Sequence, residues 1–575
     1  MIDKEVLVQQ HRREKEDSAR FKMRRLEQWN DNYFLYRDKT TINRLTQRQP
    51  VNIPVTRETI QSWVSKIDEQ PKLRFEARGR SKRDKRGELY VNEMWDVNAE
   101  MEQLDLKDNL EKKIVGLQGR TFKHLHFQEN HVKIDIIDPY DVDIDPRVNP
   151  FNLNTASYLN HKNIFIPLRR ILANKTYKPE AKLELKIYLD SKQGIISAAQ
   201  NENENAMRKL RLETLGASNY DEYRASDVMI ELNRSYKLIW DDVEKKFIRY
   251  LLVFALDSIL LYAEPLKKAV GIDFLPWVSW ASDPDLNDIW SDGIADSVRT
   301  VNKVVNMYFS QDLENRAYRN FGMYFFNNQN SNFQPQAFEA RPFGMYGVPG
   351  NPDEVIKQMK IEPLQDTTSA IEYLKNMIQS SVAQTPTERG EQLKSRTTYG
   401  EVQISLAQSK ARNEVVAKQY RLAWQDTGRI WYELMKANQI GNVTLYKKAK
   451  NGQNFSKTIA PAEWKVPEGY EAKAVYQSEQ EQNDDLEFRK LQFVKNSFIN
   501  NPIALRIARR KELEILGWDP DEIDEVMMAE EQTPTPAMNP ADPSQAGAAG
   551  APAQPSSAPN PVQTQEQLSL TQPTQ

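Results

Sequence analysis

The chain of 575 residues contains no cysteine. Disulfide scaffolds, thiol nucleophiles, thiolate zinc sites and iron–sulfur clusters are therefore excluded. Histidine is scarce, with five residues, so there is little material for metal or acid–base chemistry. The sequence also lacks a Gly-Lys dipeptide, which excludes the Walker A loop, and it contains no GxGxxG, HExxH or GxSxG pattern. Enzyme classes that need these patterns are therefore disfavoured, and we expect no metal site and no cofactor.

The chain has 78 Lys and Arg residues and 81 Asp and Glu residues, so its formal net charge is 78 − 81 = −3 and neither sign dominates. A protein that coats nucleic acid non-specifically is usually basic, so that class is disfavoured.

Long apolar runs are missing as well. Tyr250–Tyr262 is interrupted by Asp257 and is too short to cross a bilayer, and residues 1–20 lack the apolar segment of a secretory signal. The sequence predicts a soluble protein with no membrane partner, folded in a reducing compartment.

Hydrophobic residues make up 39 % of the chain, which is enough for sizeable cores, and the length suggests about three or four domains. Helical spacing of aromatic residues in Ile2–Arg37 predicts a long first helix. Alternation in Phe122–Phe127 and Val132–Ile136 predicts a β-hairpin, and it returns at Val228–Trp240 before two apolar strands joined by a two-residue turn. These patterns predict an α+β multi-domain fold.

The middle of the chain has a distinctive order of segments. Asp288–Arg319 is strongly helical with a narrow apolar seam, and helix resumes near Asp366. Between them, Phe321–Pro352 contains eight Phe or Tyr residues and only two charges. A small buried hairpin is one interpretation, but the low charge and the position between two helices favour a subunit interface. The candidate interface residues are Phe321, Tyr324, Phe325, Phe326, Phe333, Phe338, Phe343 and Tyr346.

Two later segments are polar and poor in core-forming residues. Gln384–Arg396 is either a surface linker or a loop that projects Arg389, Lys394 and Arg396 into a cavity, and composition alone favours the linker. Residues 532–575 hold nine of the thirty prolines, two charges and no aromatic residue, so we expect a disordered tail.

Helix boundaries are indicated at two places. Thr398 and Glu401 fit a capping box that opens a helix reaching about Ala437. Arg78–Arg86 holds six basic side chains and one acid without interleaved aromatic residues, so we interpret it as a solvated loop preceding a helix at Glu88–Leu110.

Histidine side chains cluster once in the sequence. His124, His126 and His131 lie close together, and the first two share a face of the predicted strand. A metal site would require further ligands to converge on them. Because paired histidines on a sheet surface are more often ordinary polar residues, we favour that interpretation.

A run of alternating aspartates imitates the start of a calcium loop. Asp141, Asp143 and Asp145 have the spacing of the first ligands, but Pro146 replaces the glycine of the sharp turn and Asn152 replaces the last glutamate. The aspartates are therefore interpreted as turn and cap residues.

Taken in order, several segments resemble the portal proteins of tailed bacteriophages. The likeness covers roughly residues 17–531 and depends on the order of its parts. The matching segments are Pro50–Thr56, Asp68–Leu73, Ile136–Pro146, Leu260–Tyr262, Phe274–Trp277, Val301–Asn306 and Ser395–Val402.

The resemblance implies a division of the chain into the parts of a portal subunit. These are an α/β wing (1–287), stem helix 1 (288–319), a clip (320–365), stem helix 2 (366–383), a channel loop (384–397), a long wing helix with a small β region (398–483), a helical crown (484–531) and a disordered Pro-, Ala- and Gln-rich tail (532–575). The aromatic interface residues would then belong to the clip.

The resemblance also implies partners and a location. The subunit would form a homo-oligomeric ring, usually a dodecamer, at one capsid vertex of the virion, after assembly in the bacterial cytoplasm. Viral double-stranded DNA would pass through the ring, which would contact the large terminase subunit, head–tail adaptors, and the major capsid and scaffolding proteins. The implied channel residues are Arg389, Lys394, Arg396, Arg299 and Lys303. Other virion rings or adaptors, a monomeric multi-domain adaptor and a nucleic-acid-processing enzyme are the alternatives.

Overall fold

The computed structural model describes 4–39, 51–67, 71–79, 81–191, 229–242, 244–321, 324–326, 351, 356–358, 362, 367–381, 399–448, 454–475, 488–493, 495, 502–515, 523 and 526–528. Its α-helices are α1 (Lys4–Tyr36), α2 (Val55–Lys66), α3 (Lys82–Met101), α4 (Leu104–Gln118), α5 (Leu168–Ala173), α6 (Pro179–Ser191), α7 (Leu266–Val270), α8 (Ile294–Phe321), α9 (Thr367–Ser381), α10 (Tyr399–Asn438), α11 (Pro461–Trp464) and α12 (Pro502–Ile515). Its strands are β1 (Lys72–Ala77), β2 (Arg120–Gln128), β3 (His131–Ile137), β4 (Val142–Ile144), β5 (Tyr158–Pro167), β6 (Met229–Asp241), β7 (Lys246–Ala255), β8 (Ile259–Pro265), β9 (Trp277–Ala281), β10 (Tyr324–Phe326), β11 (Ile356–Gln358), β12 (Val443–Lys448), β13 (Asn454–Ile459) and β14 (Tyr470–Val475).

The chain divides into two compact units, residues 1–486 and 487–575. In the second unit, the longest described element is α12. The first unit mixes helices with antiparallel sheets, so the coarse prediction of an α+β fold is confirmed. None of the described helices is both long and apolar enough to span a membrane.

Two antiparallel sheets form the centre of the first unit. One has five strands in the order β4-β5-β6-β7-β8, and the other has three in the order β3-β2-β9. The predicted hairpin is confirmed, with Leu125 of β2 opposite Ile134 of β3 and both side chains buried. Pairs β1-β14 and β12-β13 add two small sheets, and β10-β11 adds a third.

The largest apolar core surrounds the long helix α10, which begins and ends within one residue of the sequence expectation. Trp431 of this helix meets Phe75 of β1 and Trp95 of α3 at ring-centroid distances of 5.3 and 5.2 Å. Such edge and tilted contacts suit the charge distribution of aromatic rings. The small β region therefore packs on α10, although β1 and β14 are about 400 residues apart in sequence.

The five-stranded sheet is covered on both faces, as the alternation of β7 requires. Val253 and Ala255 join a core with Leu185 of α6. Leu252 and Phe254 point the other way and pack with Leu7 of α1. The sheet is thus enclosed between α6 and the first turns of α1.

Three local expectations are corrected by the structure. The basic segment is not a loop throughout, because Ser81 caps a helix that begins at Lys82 and Asp84 completes the capping box. The single helix expected at 88–110 is two helices, α3 and α4, separated where Gln103 adopts a left-handed φ of 51°. The turn between β7 and β8 contains three residues rather than two, with Leu256 and Asp257 at φ of 52° and 54°.

Candidate functional site

The segment predicted as helix, insert and helix contains two contacting helices and a pair of strands between them in sequence. Helices α8 and α9 touch, and the insert between them begins and ends in strands β10 and β11. These strands pair antiparallel, with Tyr324 opposite Gln358 and Phe326 opposite Ile356. A hydrogen bond of 3.0 Å from the Asn315 side chain to the Glu362 carbonyl links α8 to the end of the insert.

Of the eight aromatic residues predicted for an interface, few can be located. Tyr324, Phe325 and Phe326 form β10, and Phe321 is the last residue of α8. The remaining residues, Phe333, Phe338, Phe343 and Tyr346, lie outside the described part of the chain. The interface role of the insert therefore remains a prediction.

The predicted channel residues fall into two groups. Arg389, Lys394 and Arg396 lie outside the described residues. Arg299 and Lys303 lie one turn apart on α8, and each contacts an acid at 2.5 Å, Arg299 its neighbour Asp296 and Lys303 the residue Asp31 of α1. The charges of Arg299 and Lys303 are therefore each balanced by an acid of the same chain.

Helix α8 begins at Ile294, whereas the sequence analysis predicted a start at Asp288. Contacts with α1, which the sequence did not predict, fix this start. Arg25 of α1 forms ion pairs with Asp288 and Asp292, just before the helix. Asp296 accepts a hydrogen bond of 2.8 Å from the Gly293 amide, and Asn32 donates one of 3.0 Å to the same side chain. Carboxylates at a helix N-terminus are favourable because the backbone N–H groups there are unpaired.

Farther along, the helix pair exposes apolar side chains. Met307 and Leu313 of α8 and Tyr373 of α9 are exposed in the single chain, Tyr373 to 70 %. Single exposed apolar residues are common, but these lie along one pair of contacting helices. The described part of the helix pair therefore carries exposed apolar side chains on both helices.

A polar layer joins α1 to the five-stranded sheet. Lys15 and His11 of α1 contact the Asp257 carboxylate, which also accepts a hydrogen bond from Asn233 of β6. The His11 and Lys15 contacts hold the pKa of Asp257 below its ordinary value despite its burial. Burial raises the pKa of nearby Glu231 to about 7, although Lys15 acts in the opposite direction.

Histidines meet where the two central sheets face each other. His124 is only 2 % exposed, so the expectation of a pair on a sheet surface was wrong. Its ring stacks on His126 at a centroid distance of 5.3 Å, and its Nε2 lies 2.8 Å from the Tyr236 hydroxyl of β6. His161 of β5 approaches the His124 ring at 6.1 Å. His131 is not part of this group and contacts Glu102 at 3.2 Å.

The same environment disfavours the charged form of these imidazoles. Burial lowers the pKa of His124 well below its ordinary value and that of His161 to about 3, and the charge of Arg234 acts in the same direction on both. Burial also lowers the pKa of His126, against the attraction of Asp135. Sequence spacing indicated His124 and His126, whereas no local pattern connected them to His161 or Asp135.

The aspartates that imitate a calcium loop serve different structural roles. Asp145 accepts hydrogen bonds from the Arg147 amide and the Ser157 side chain, as expected of a turn residue. Asp143 instead is buried and pairs with Lys162 at 2.9 Å and with Lys22 at 3.7 Å. The turn interpretation therefore holds for Asp145 and is wrong for Asp143, because the latter lies within β4.

Comparison with known proteins does not assign the chain to a family. No family model matches the sequence, and no curated protein is similar to it.

Proposed function

We propose that this chain is the subunit of a portal ring at one vertex of a tailed-bacteriophage capsid. The ring, a dodecamer in this proposal, is a non-enzymatic conduit for double-stranded DNA during packaging and ejection. It contacts the large terminase subunit, head–tail adaptors, and the major capsid and scaffolding proteins. The location in the virion and the division into wing, stem, clip, channel loop and crown belong to the same proposal.

The observation that carries the proposal is the pair of contacting helices α8 and α9 around an insert that begins and ends in paired strands. This order matches the stem and clip expected from the family resemblance. The α+β region that precedes the pair and the long helix α10 that follows it agree with the expected wing. The exposed apolar side chains of Met307 and Tyr373 give the helix pair a surface suited to neighbouring subunits in a ring.

The charge distribution is compatible with a DNA conduit. Tight pairing of many cations with phosphates would retain DNA rather than let it slide. The chain has a net charge of −3, and Arg299 and Lys303 of α8 are already paired with acids of the same subunit. Helix α8 thus offers few uncompensated cations, which supports a channel wall of low affinity for DNA.

The first experiment is negative-stain electron microscopy of the purified full chain, with mass photometry of the same sample. We expect rings with a central hole and a mass near twelve subunits. If the chain stays monomeric even with scaffolding and capsid proteins present, the proposal is wrong. Turnover of DNA or nucleotides by the pure protein would instead favour a nucleic-acid-processing enzyme.

A further inference from the structure

A small group of metal-ligating side chains lies at the contact of the two central sheets. One ligand atom from each of His124, His126 and Asp135 lies within 4.8 Å of the others. We propose that these three residues bind a divalent transition-metal ion of the zinc type. The proposal is independent of the function proposed above, and it replaces our sequence-based expectation that the protein has no metal site.

Backbone pairing brings the three residues together. His124 and His126 are two positions apart on β2, so their side chains leave the same face of the strand. Asp135 of β3 is the direct cross-strand partner of His124 and therefore lies on that face as well. A site built on paired strands holds its ligands more rigidly than a site on loops.

The hydrogen-bonding state of the rings suits ligation. His126 Nδ1 is buried, forms no hydrogen bond to any described residue and lies 3.5 Å from an Asp135 carboxylate oxygen. A bound ion between these atoms would satisfy the nitrogen. The Tyr236 hydroxyl contacts His124 Nε2 at 2.8 Å and so provides the second-shell hydrogen bond that usually orients a metal-bound histidine.

The ligand types select the class of metal. Imidazole nitrogens and a single carboxylate suit zinc and its neighbours in the first transition series, whereas calcium and magnesium prefer oxygen ligands throughout. The Asp135 side chain is 47 % exposed, so solvent reaches one of the three ligands directly. Three protein ligands leave further coordination positions for water.

Charge makes the site depend on Asp135. Arg234 is the cross-strand partner of His161, and its charge acts on the imidazoles of His124 and His126. Because this guanidinium and the burial both oppose a bound cation, the Asp135 carboxylate must supply the compensating negative charge. Removing the Asp135 charge should therefore weaken metal binding strongly, although the Asp135 side chain is partly exposed to solvent.

The test uses the full chain without a histidine tag, after dialysis against a chelator. Cobalt(II) serves as a spectroscopic probe, and zinc binding is measured by calorimetry. We expect one ion per chain, with cobalt absorption bands of nitrogen and oxygen coordination. Asp135→Asn and His126→Gln should each weaken zinc binding by more than roughly 100-fold, since each removes a direct ligand and the loss of an outer-shell partner alone costs up to about 100-fold.

His131→Gln is the matched control, because His131 lies on the same hairpin but contacts Glu102 instead. This variant should bind zinc like the natural chain. The proposal is overturned if the natural chain binds no zinc or cobalt at micromolar concentrations, or if His131→Gln weakens binding as much as His126→Gln. It is also overturned if inorganic phosphate, and not zinc, protects the protein against thermal unfolding, because Arg234 would then make this an anion site. Circular dichroism of each variant establishes that a loss of binding is not a loss of folding.

Discussion

Lys15 of α1 and Asp257 of the turn between β7 and β8 form an ion pair with side-chain exposures of 10 % and 5 %. They are 242 residues apart in sequence. The pair therefore ties the N-terminal helix to the sheet through charge rather than through apolar contact alone. His11 and Asn233 complete the surroundings of the Asp257 carboxylate.

Neutralising this carboxylate should destabilise the protein strongly. Asp257→Asn leaves Lys15 buried beside a neutral amide, and removing one partner of a buried pair typically costs about 3 kcal/mol or more. Urea denaturation at neutral pH measures the free energy of unfolding. Glu414→Gln is the control, since its pair with Lys418 on α10 is exposed and should contribute less than about 0.5 kcal/mol. Equal stabilities of the two variants would contradict the prediction.

Glu231 should make stability depend on pH in a defined direction. Its pKa is raised by burial to about 7 in the folded protein, against an ordinary value of 4.5. The folded state therefore holds this proton over a pH range in which the unfolded state has lost it. The stability contributed by the protonated form is present below pH 4.5 and is lost as the pH rises through 7.

We therefore expect Glu231→Gln, which stays neutral, to gain stability relative to the natural chain between pH 5 and pH 8. The expected gain is about 2 to 3 kcal/mol, from the size of the shift. The two proteins must be compared at each pH, because the buried histidines also make stability depend on pH. Their pKa values are lowered by folding, so their contribution to stability falls as the pH drops below their ordinary pKa, opposite to that of Glu231. Chemical denaturation at four pH values measures the free energy of unfolding of both proteins. If the difference between the two free energies does not change with pH, the pKa of Glu231 is not raised in the folded protein.

The exposed apolar residues of the helix pair should matter for assembly and not for folding. Tyr373→Asp and Met307→Asp place a charge at exposed positions, so the subunit should keep its melting temperature within a few degrees. If these side chains are buried between neighbours in a ring, the same charge should abolish the oligomer in mass photometry. Leu183→Asp on α6, which is 60 % exposed, is the control and should assemble normally. Normal assembly of the Tyr373 and Met307 variants would remove α8 and α9 from the subunit contact.

The polar segment Gln384–Arg396, which follows α9 in sequence, allows a direct test of the proposed contact with DNA. Combined charge reversal at Arg389, Lys394 and Arg396 should leave ring assembly intact but reduce DNA packaging or retention by assembled particles, because repulsion would replace weak attraction to phosphates. Particle DNA content measures the effect. A control variant reverses three exposed cations on other helices, namely Lys82, Lys186 and Lys418. Packaging equal to that of the control would remove Arg389, Lys394 and Arg396 from the channel.

Much of the secondary structure could be predicted because its signals are local. The hairpin of β2 and β3 was predicted from alternation, and the limits of α10 were predicted from helical spacing and from the sequence pattern at its start. The start of α3 was missed because the basic residues after Ser81 were interpreted as solvated loop, although Ser81 and Asp84 form a capping box. Helical propensity and the cap outweigh repulsion among exposed cations that water screens.

The candidate metal site could be predicted only in part from local sequence patterns. His124 and His126 could be paired from their spacing, but their burial depends on the second sheet, and Asp135 joins them only through the register of β2 and β3. His161 and Tyr236 come from strands of that second sheet. No spacing within one segment encodes the approach of separate sheets.

By itself, the sequence excluded chemistry that needs a cysteine thiol, and it predicted the positions of the periodic elements and the order of helix, aromatic insert and helix. These properties depend on the type of each residue and on residues close to it in the sequence. The tertiary structure alone decided that α1 pairs with both the β7–β8 turn and the start of α8, and that His124 is enclosed between two sheets. The two contacts of α1 join residues more than two hundred positions apart. Their formation depends on how faces of several elements pack together, and no short sequence pattern records that packing.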